Sequence, residues 1–82
     1  MIELTFYTTD RCHLCEEAKS LLQQLLAKAP ESYQIEIIDI SDSDALIEQY
    51  GTRIPVIKKS TDNDDLGWPF EFASLLAYVE SN

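Results

Sequence analysis

Glycine and histidine are scarce in this 82-residue sequence, and their scarcity excludes several kinds of site. The two glycines, Gly51 and Gly67, stand too far apart to form a dinucleotide-binding fingerprint or a glycine-rich phosphate loop. The one histidine, His13, cannot supply a metalloprotease HExxH helix or a zinc finger with two cysteines and two histidines. Enzymes and binding modules that depend on these motifs are therefore excluded.

Basic residues are also few, because Lys and Arg total 6 against 15 Asp and Glu, which gives a formal charge of −9. Nucleic acids and anionic membrane surfaces require basic patches, so we expect neither as a partner. An acidic surface instead favours basic or neutral partners. No stretch approaches the roughly 18 apolar residues of a membrane-spanning helix. Glu3 and Thr5 interrupt the apolar start of the chain, so no secretory leader is expected, and we predict a cytoplasmic protein.

The length and the hydrophobic content indicate a single folded unit. Hydrophobic residues make up 45% of the sequence, which is typical of a globular protein. A chain of this size buries about 60–65% of the surface that its unfolded form exposes, so its core must be compact. We predict one domain, residues 1–82, and a monomer.

The hydrophobic pattern alternates between strand and helix periods. Residues 2–7 and 34–40 predict strands, and the second of these is expected to be mostly buried. Between them, apolar residues recur at helical spacing and predict a helix from near Cys12 to Pro30, with a buried face formed by Ala18, Leu21, Leu22, Leu25, Leu26 and Ala29.

The second half of the chain predicts a short helix, a hairpin and a last helix. Ser41 is the expected N-cap of the short helix, Leu46, Ile47 and Tyr50 its inward face, and Gly51 its C′ residue. Residues 56–58 and 66–68 predict two hairpin strands, with Lys58 and Lys59 protecting an edge. A final helix contains Phe72, Leu75, Leu76 and Val79. The order βαβαββα favours one mixed sheet with helices packed on it.

The chemistry of the sequence is concentrated at Cys12 and Cys15, its only cysteines, at the joint between the first strand and the first helix. A thiol at a helix N-terminus faces free backbone N–H groups and the positive end of the helix dipole, which stabilise the thiolate. The thiolate is the nucleophile of disulfide exchange. We therefore expect Cys12 to be the exposed attacking residue and Cys15, one turn further, to be the more buried resolving residue. Arg11 and a protonated His13 would support the Cys12 thiolate.

Two other interpretations of the cysteine pair stay open. The pair could be ordinary buried thiols in a non-catalytic interaction domain. It could also bind a soft metal ion as a metal-binding or metal-transfer module, although a complete zinc site needs four ligands and only Cys12, Cys15 and His13 are available. Copper chaperones, which also place CxxC after the first strand, have the element order βαββαβ and end in a strand, whereas this chain is predicted to end in a helix.

The motifs together resemble the glutaredoxins, in particular the short bacterial glutaredoxin-like proteins. The resemblance covers nearly the whole chain, and it depends on residues 6–8 leading into Cys12-His13-Leu14-Cys15, on 37–39, and on 50–56 with Ile54-Pro55. It implies a thioredoxin-like α/β fold of three layers, βαβαββα, with a four-stranded mixed sheet. It also implies thiol–disulfide exchange with protein or low-molecular-weight disulfides.

The resemblance further implies the residues that contact the substrate. Pro55 is expected to be cis and to lie beside the cysteine pair, where the backbone of Ile54 would face an incoming substrate cysteine as an added strand does. Arg11, His13 and Trp68 are the other expected substrate-binding residues. No bound cofactor and no metal are expected.

The sequence departs from the family pattern in three places that concern glutathione. His13-Leu14 replaces the usual Pro-Tyr between the cysteines. Family members often carry a Lys shortly before the motif, whereas here Arg11 is the only cation near it. A lone Gly67 followed by Trp68 replaces the paired glycines of the glutathione site. Glutathione is anionic and the chain carries −9. Glutathione is therefore a possible reductant that the sequence disfavours.

Overall fold

The computed structural model describes residues 2–61 and 64–80. Its secondary structure follows the predicted order, with one additional short 3-10 turn at Ile40–Asp42. The strands are β1 (Ile2–Thr8), β2 (Tyr33–Asp39), β3 (Val56–Lys59) and β4 (Leu66–Gly67). The helices are α1 (His13–Lys28), α2 (Asp44–Tyr50) and α3 (Phe72–Glu80). The chain therefore does not follow the βαββαβ order of the copper chaperones.

The four strands form one mixed sheet in the order β2-β1-β3-β4. β1 pairs in parallel with β2 from Ile2↔Tyr33 to Thr8↔Asp39, and antiparallel with β3 from Leu4↔Lys59 to Tyr7↔Val56. The parallel register brings the C-terminal ends of β1 and β2 to the same end of the sheet, and from β1 the chain continues to Cys12. The topology thus places the cysteine pair at that end of the sheet.

Two sequence predictions about strand positions are wrong. β2 is an edge strand and not a mostly buried one, and its Ile37 is 57% exposed. β4 pairs only with Val56 and Ile57 of β3, so Lys58 and Lys59 pair with β1 alone, and the prediction that they protect an edge is wrong for Lys59. Lys59 is instead buried, and its Nζ lies 5.0 Å from the centroid of the Tyr78 ring on α3. The hydrophobic pattern could not give the strand order, because the order depends on pairing between distant segments.

The helices cover both faces of the sheet and give three layers. Leu4 and Phe6 of β1 point to the face that α1 and α3 cover, and this forms the larger core cluster. Tyr7 points to the opposite face, where Ile40, Tyr50 and Val56 form a second cluster with α2. Each large apolar side chain buried in these layers contributes roughly 1.5–3 kcal/mol to stability.

Helix α1 follows the predicted stripe. Ala18, Leu22 and Leu25 are buried, and the remaining stripe residues pack at the margin of the same cluster. Cys12 is the N-cap, with extended backbone angles. The helix ends after Lys28, where the Ala29 N–H donates to the Leu25 carbonyl and Pro30 prevents continuation.

The start of α2 differs from the prediction. Ser43 and not Ser41 is the N-cap, with its hydroxyl accepting from the Leu46 N–H at 3.4 Å. Ser41 is captured by the carboxylate of Asp39, which accepts from both the Ser41 N–H (2.9 Å) and its hydroxyl (2.7 Å). These bonds lower the pKa of Asp39. The Asp39 carboxylate therefore caps a 3-10 turn over Ile40–Asp42, and α2 begins only after that turn.

The end of α2 also differs. Gly51 is the C-cap, with right-handed angles (φ −54°, ψ −34°), and not a left-handed C′ residue. A Cβ at this position would collide with the carbonyl of Ile47, which explains the glycine by close approach. Ile47 itself is 44% exposed and does not face inward, whereas Tyr50 is buried as predicted.

Candidate redox site

Cys12 and Cys15 form a disulfide at the N-terminus of α1, with their Cα atoms 5.1 Å apart. Cys12 is the N-cap and Cys15 lies in the first turn. The Cys12 Sγ accepts the backbone N–H of Cys15 at 3.1 Å, so the sulfur occupies the place that a capping oxygen takes in other helices. A negative charge on this sulfur would face that N–H group and the positive end of the helix dipole.

The two sulfurs differ in exposure. Cys15 is 4% exposed and belongs to the larger core cluster, whereas Cys12 is half-buried at its margin. Ile54 and Trp68 pack against the same cluster. Cys15 thus lies in the same core cluster against which Cys12 and two of the predicted substrate-binding residues pack.

Two clefts border the disulfide. The larger, of about 310 Å³, lies between the N-terminal half of α1 and the exposed Ile37 of β2, with Cys12, Cys15 and Lys19 in its lining. The smaller, of about 190 Å³, is lined by Arg11, Cys12, His13 and Glu16. Cys12 borders both clefts, so a molecule in either would lie beside the more accessible sulfur.

Arg11 and His13 flank Cys12 and are both exposed. Arg11 has φ 59°, in the left-handed region that a side chain disfavours. Within residues 2–61 and 64–80, no carboxylate pairs with its guanidinium. Arg11 is therefore a cation available to a ligand next to Cys12.

Pro55 lies at the same end of the sheet as the cysteines. Tyr7 pairs with Val56, so the antiparallel register places Pro55 opposite Thr8, the last residue of β1. Pro55 is buried and Ile54 half-buried. The Ile54–Pro55 and Trp68–Pro69 peptide bonds are cis.

The backbone of Ile54 is only partly available to a substrate. Its N–H donates to the Tyr50 carbonyl at 3.0 Å. Its own carbonyl accepts no hydrogen bond from the described part of the chain. The resemblance implied that the Ile54 backbone faces the substrate; in this structure the carbonyl alone is free to do so.

Arg53 anchors the segment that leads to Pro55, and the sequence analysis missed it. Its guanidinium binds Asp65 with two hydrogen bonds, Nη1 to Oδ2 at 3.1 Å and Nη2 to Oδ1, which raise the pKa of Arg53. It also lies 5.8 Å from the centroid of the Tyr50 ring, which stacks on Tyr7 at 4.2 Å. Burial raises the pKa of Tyr50. The only sequence signal was a pair of opposite charges twelve residues apart.

Trp68 lies next to Pro55. Its N–H donates to the Pro55 carbonyl at 3.1 Å, and its ring meets Phe70 edge-on with 5.0 Å between centroids. The half-buried ring borders a third cleft, of about 360 Å³, between α1 and the start of α3. Each predicted substrate-binding residue is thus near the cysteine-bearing end of the sheet or beside the N-terminus of α1.

Among the described residues, no group of three or more His, Cys, Asp or Glu side chains is placed to hold a metal ion. In the same part of the chain, no helix is both long and apolar enough to cross a membrane.

Comparison with known proteins identifies the family. A family model described as a glutaredoxin-like domain (DUF836) matches residues 3–80. The chain belongs to the glutaredoxin-like family. The resemblance inferred from residues 6–15 and 50–56 is therefore confirmed. No curated protein matches the chain.

Solved structures agree with this assignment. The X-ray structure of protein XcR50 from X. campestris is 36% identical, covers 92% of both chains and has a TM-score of 0.75. The solution structure of protein Ne2328 from Nitrosomonas europaea is 28% identical, covers 95% of this chain and 91% of that chain, and has a TM-score of 0.77.

More distant structures show the fold. A mutant thioredoxin from Halobacterium salinarum has a TM-score of 0.71 at 18% identity, covering 96% of this chain and 72% of that one. The predicted thioredoxin-like fold is confirmed. The family together with the bonded cysteine pair supports a thiol-redox role for this glutaredoxin-like protein.

Proposed function

We propose that the protein is a thiol–disulfide oxidoreductase that uses Cys12 as the attacking thiolate and Cys15 as the resolving thiol. The observation that carries the proposal is the Cys12–Cys15 disulfide at the N-terminus of α1, where the Cys12 sulfur accepts a backbone N–H. A bond between two cysteines placed to stabilise a thiolate is one that exchange chemistry can open and close.

The reaction proceeds in two exchanges. The Cys12 thiolate of the reduced protein attacks one sulfur of a substrate disulfide; a mixed disulfide forms, and the other substrate sulfur leaves as a thiolate that takes a proton from water. Cys15, after losing its proton to water, then attacks the Cys12 sulfur, and the second substrate sulfur leaves as a thiolate that also takes a proton from water. The substrate gains two electrons, both from the protein as it forms the Cys12–Cys15 disulfide. It also gains two protons, one balanced by the proton that Cys15 gave to water and one taken from the solvent.

Exposure determines which cysteine attacks. Cys12 borders both clefts and can meet a substrate sulfur, whereas Cys15 lines only the larger cleft, is 4% exposed and is placed to attack the Cys12 sulfur of the mixed disulfide. The Cys15 N–H and the helix dipole stabilise charge on Cys12. The order of attack therefore follows from the position of each sulfur in the first turn of α1.

The Ile54–Pro55 segment positions the substrate. The free Ile54 carbonyl accepts an N–H from the extended chain that carries the substrate cysteine, in the manner of an added strand. Arg11 and His13 contact the substrate on one side of Cys12, and Trp68 contacts it beside Pro55.

Electrons stored in the dithiol make a bound cofactor and a metal unnecessary. The substrates in this proposal are disulfides of proteins or small molecules, in the cytoplasm, where reducing conditions regenerate the dithiol. The protein acts as a monomer, with no role for nucleic acid or membranes. The charge of −9 and the Trp68 ring disfavour anionic glutathione as the reductant.

Single cysteine variants test the roles. In a peptide-disulfide reduction assay, Cys12→Ser should lose activity by at least about 10³-fold, because no other accessible thiolate remains. Cys15→Ser should keep the first exchange and accumulate a mixed disulfide at Cys12, visible by intact-protein mass spectrometry. Substantial activity of Cys12→Ser would contradict the assignment. Circular dichroism of both variants controls for misfolding.

A further inference from the structure

A groove lies between α1 and the start of α3, and of its lining residues only Trp68 has a role in the function proposed above. We call it the aromatic groove; its volume is about 360 Å³. Aromatic side chains on one wall face the polar and apolar residues of α1 across it. Its lining consists of Glu17, Ser20, Leu21, Trp68 and 70–72.

Each wall of the groove is connected to the redox site by a neighbouring residue. Leu14, between the cysteines, is 42% exposed. It precedes Glu17 by three residues and Leu21 by seven, so helix geometry puts the three on one stripe of α1. On the other wall, the Trp68 N–H is bonded to the Pro55 carbonyl. A residue that flanks the reactive cysteine of a chain segment bound at Ile54 and Cys12 would therefore lie next to the groove.

The charge of the lining has one sign. Glu17 and Glu71 are exposed at its margin, and the lining contains no Lys, Arg or His. The aromatic rings add a negative face that attracts cations, most strongly for Trp. Carboxylates beside an aromatic ring are suited to a Lys or Arg side chain, whose methylene stem packs on the ring while its charge stays at the margin.

We propose that the aromatic groove binds a Lys or Arg side chain next to the reactive cysteine of the substrate. This names the substrate class as basic peptide or protein disulfides, and it rests on the proposed function. An anionic tripeptide such as glutathione meets two carboxylates there and is disfavoured. The charge of −9 on the whole chain acts in the same direction by drawing basic partners into encounter.

Binding can be measured without exchange chemistry, because Trp68 is the only tryptophan and lines the groove. The probes are two short peptides that carry Ser in place of the reactive cysteine and differ only in two flanking residues, Lys in one and Gln in the other. Titration of the wild-type protein at low salt, followed by Trp68 fluorescence, should show about three- to tenfold tighter binding of the Lys peptide.

Matched charge variants separate the groove from the overall charge. Glu17→Gln with Glu71→Gln should remove most of the preference for the Lys peptide and leave binding of the Gln peptide unchanged. The control, Glu36→Gln with Glu48→Gln, makes the same change in net charge at exposed positions on β2 and α2, outside the groove. It should retain most of the preference.

Three results would overturn the proposal: equal affinity of the wild type for both peptides, equal loss of preference in the two double variants, or tighter binding of the Gln peptide. Cysteine-containing versions of both peptides, mixed with the reduced protein, then test exchange separately. Preference in binding without any exchange would refute the proposed function and leave the groove assignment standing. Exchange with both peptides, without any preference in binding, would refute the groove assignment and leave the proposed function standing.

Discussion

At the scale of single residues, Arg11 combines an unfavourable backbone with an exposed charge. Its φ of 59° is costly for any residue with a Cβ. No carboxylate in the described ranges pairs with its side chain, which borders both clefts at Cys12. Strained conformations of this kind tend to persist where function requires them. We therefore interpret the strain at Arg11 as the cost of a cation beside the attacking sulfur.

Arg11→Gly separates these two properties. Removing the Cβ should stabilise the protein by up to about 1 kcal/mol, because glycine adopts the left-handed region freely while its greater unfolded-state entropy offsets part of the gain. Removing the cation should shift the pH midpoint of Cys12 alkylation upward in the reduced protein. Urea denaturation and a pH series with iodoacetamide measure the two effects.

Arg11→Lys is the matched control, because it keeps the charge and the strain. It should resemble wild type in both measurements. Equal stability of the Gly and Lys variants would show that the backbone at Arg11 carries no strain, and an unchanged alkylation midpoint in Arg11→Gly would remove the side chain from the thiolate environment.

At the scale of elements, the segment from α2 to β3 is held by one side chain and one carbonyl. The Tyr50 carbonyl accepts the N–H groups of Arg53 (2.8 Å) and Ile54 (3.0 Å). The Arg53 guanidinium reaches across to Asp65, just before β4. Gly67 leaves room for it, since a Cβ there would lie 3.3 Å from Nη2. These contacts position the Ile54 carbonyl relative to Cys12.

Asp65→Asn should therefore weaken substrate positioning more than stability. The Arg53 side chain is 44% exposed, so solvent screens the pair and its loss should cost only about 0.2–1 kcal/mol. KM for a peptide disulfide should rise severalfold, whereas the alkylation rate of Cys12, which needs no positioned substrate, should stay at the wild-type value. Steady-state kinetics and alkylation of the same samples provide the comparison.

Asp64→Asn is the control for this loop, since it makes the same charge change one residue away at an exposed position. It should leave KM unchanged. A parallel rise of KM in both variants, or a fall in Cys12 alkylation with Asp65→Asn, would contradict a positioning role for the Arg53–Asp65 pair.

Local signals explain which elements the sequence could predict. The 3.6-residue spacing from Ala18 to Leu25 depends only on neighbouring turns of α1, and the position of Cys12 after a strand depends only on the adjacent segments. The N-cap at Ser43 was missed because Asp39 captures Ser41, a competition between two nearby acceptors that spacing cannot resolve. The errors within α2 are of the same local kind.

Tertiary pairing explains what the sequence could not predict. The inner position of β3, the burial of Lys59 under Tyr78 and the exposure of Ile37 all follow from the strand order. The Arg53–Asp65 pair and the aromatic groove likewise join segments that are distant in sequence. The reactive residues were predictable from a local motif, whereas the features that position a substrate required the structure.

At the scale of the whole molecule, the thioredoxin-like fold connects the redox state of two residues to the packing of the domain. Cys15 lies in the core cluster with Phe6 and Ala18, and Cys12 lies at its margin. In the proposed function, the bond between them is a reversible couple that exchange opens and closes. A purely structural disulfide at the same place would stay oxidised in the presence of cellular thiols.

Equilibration of the protein in dithiol–disulfide buffers of defined potential, with acid quenching and alkylation of free thiols, tests this directly. We predict one two-electron transition of Cys12 and Cys15 together, with a midpoint between about −180 and −300 mV, the range in which cellular thiol couples cycle. A disulfide that stays closed well below about −300 mV, or two thiols that never join, would contradict the central claim.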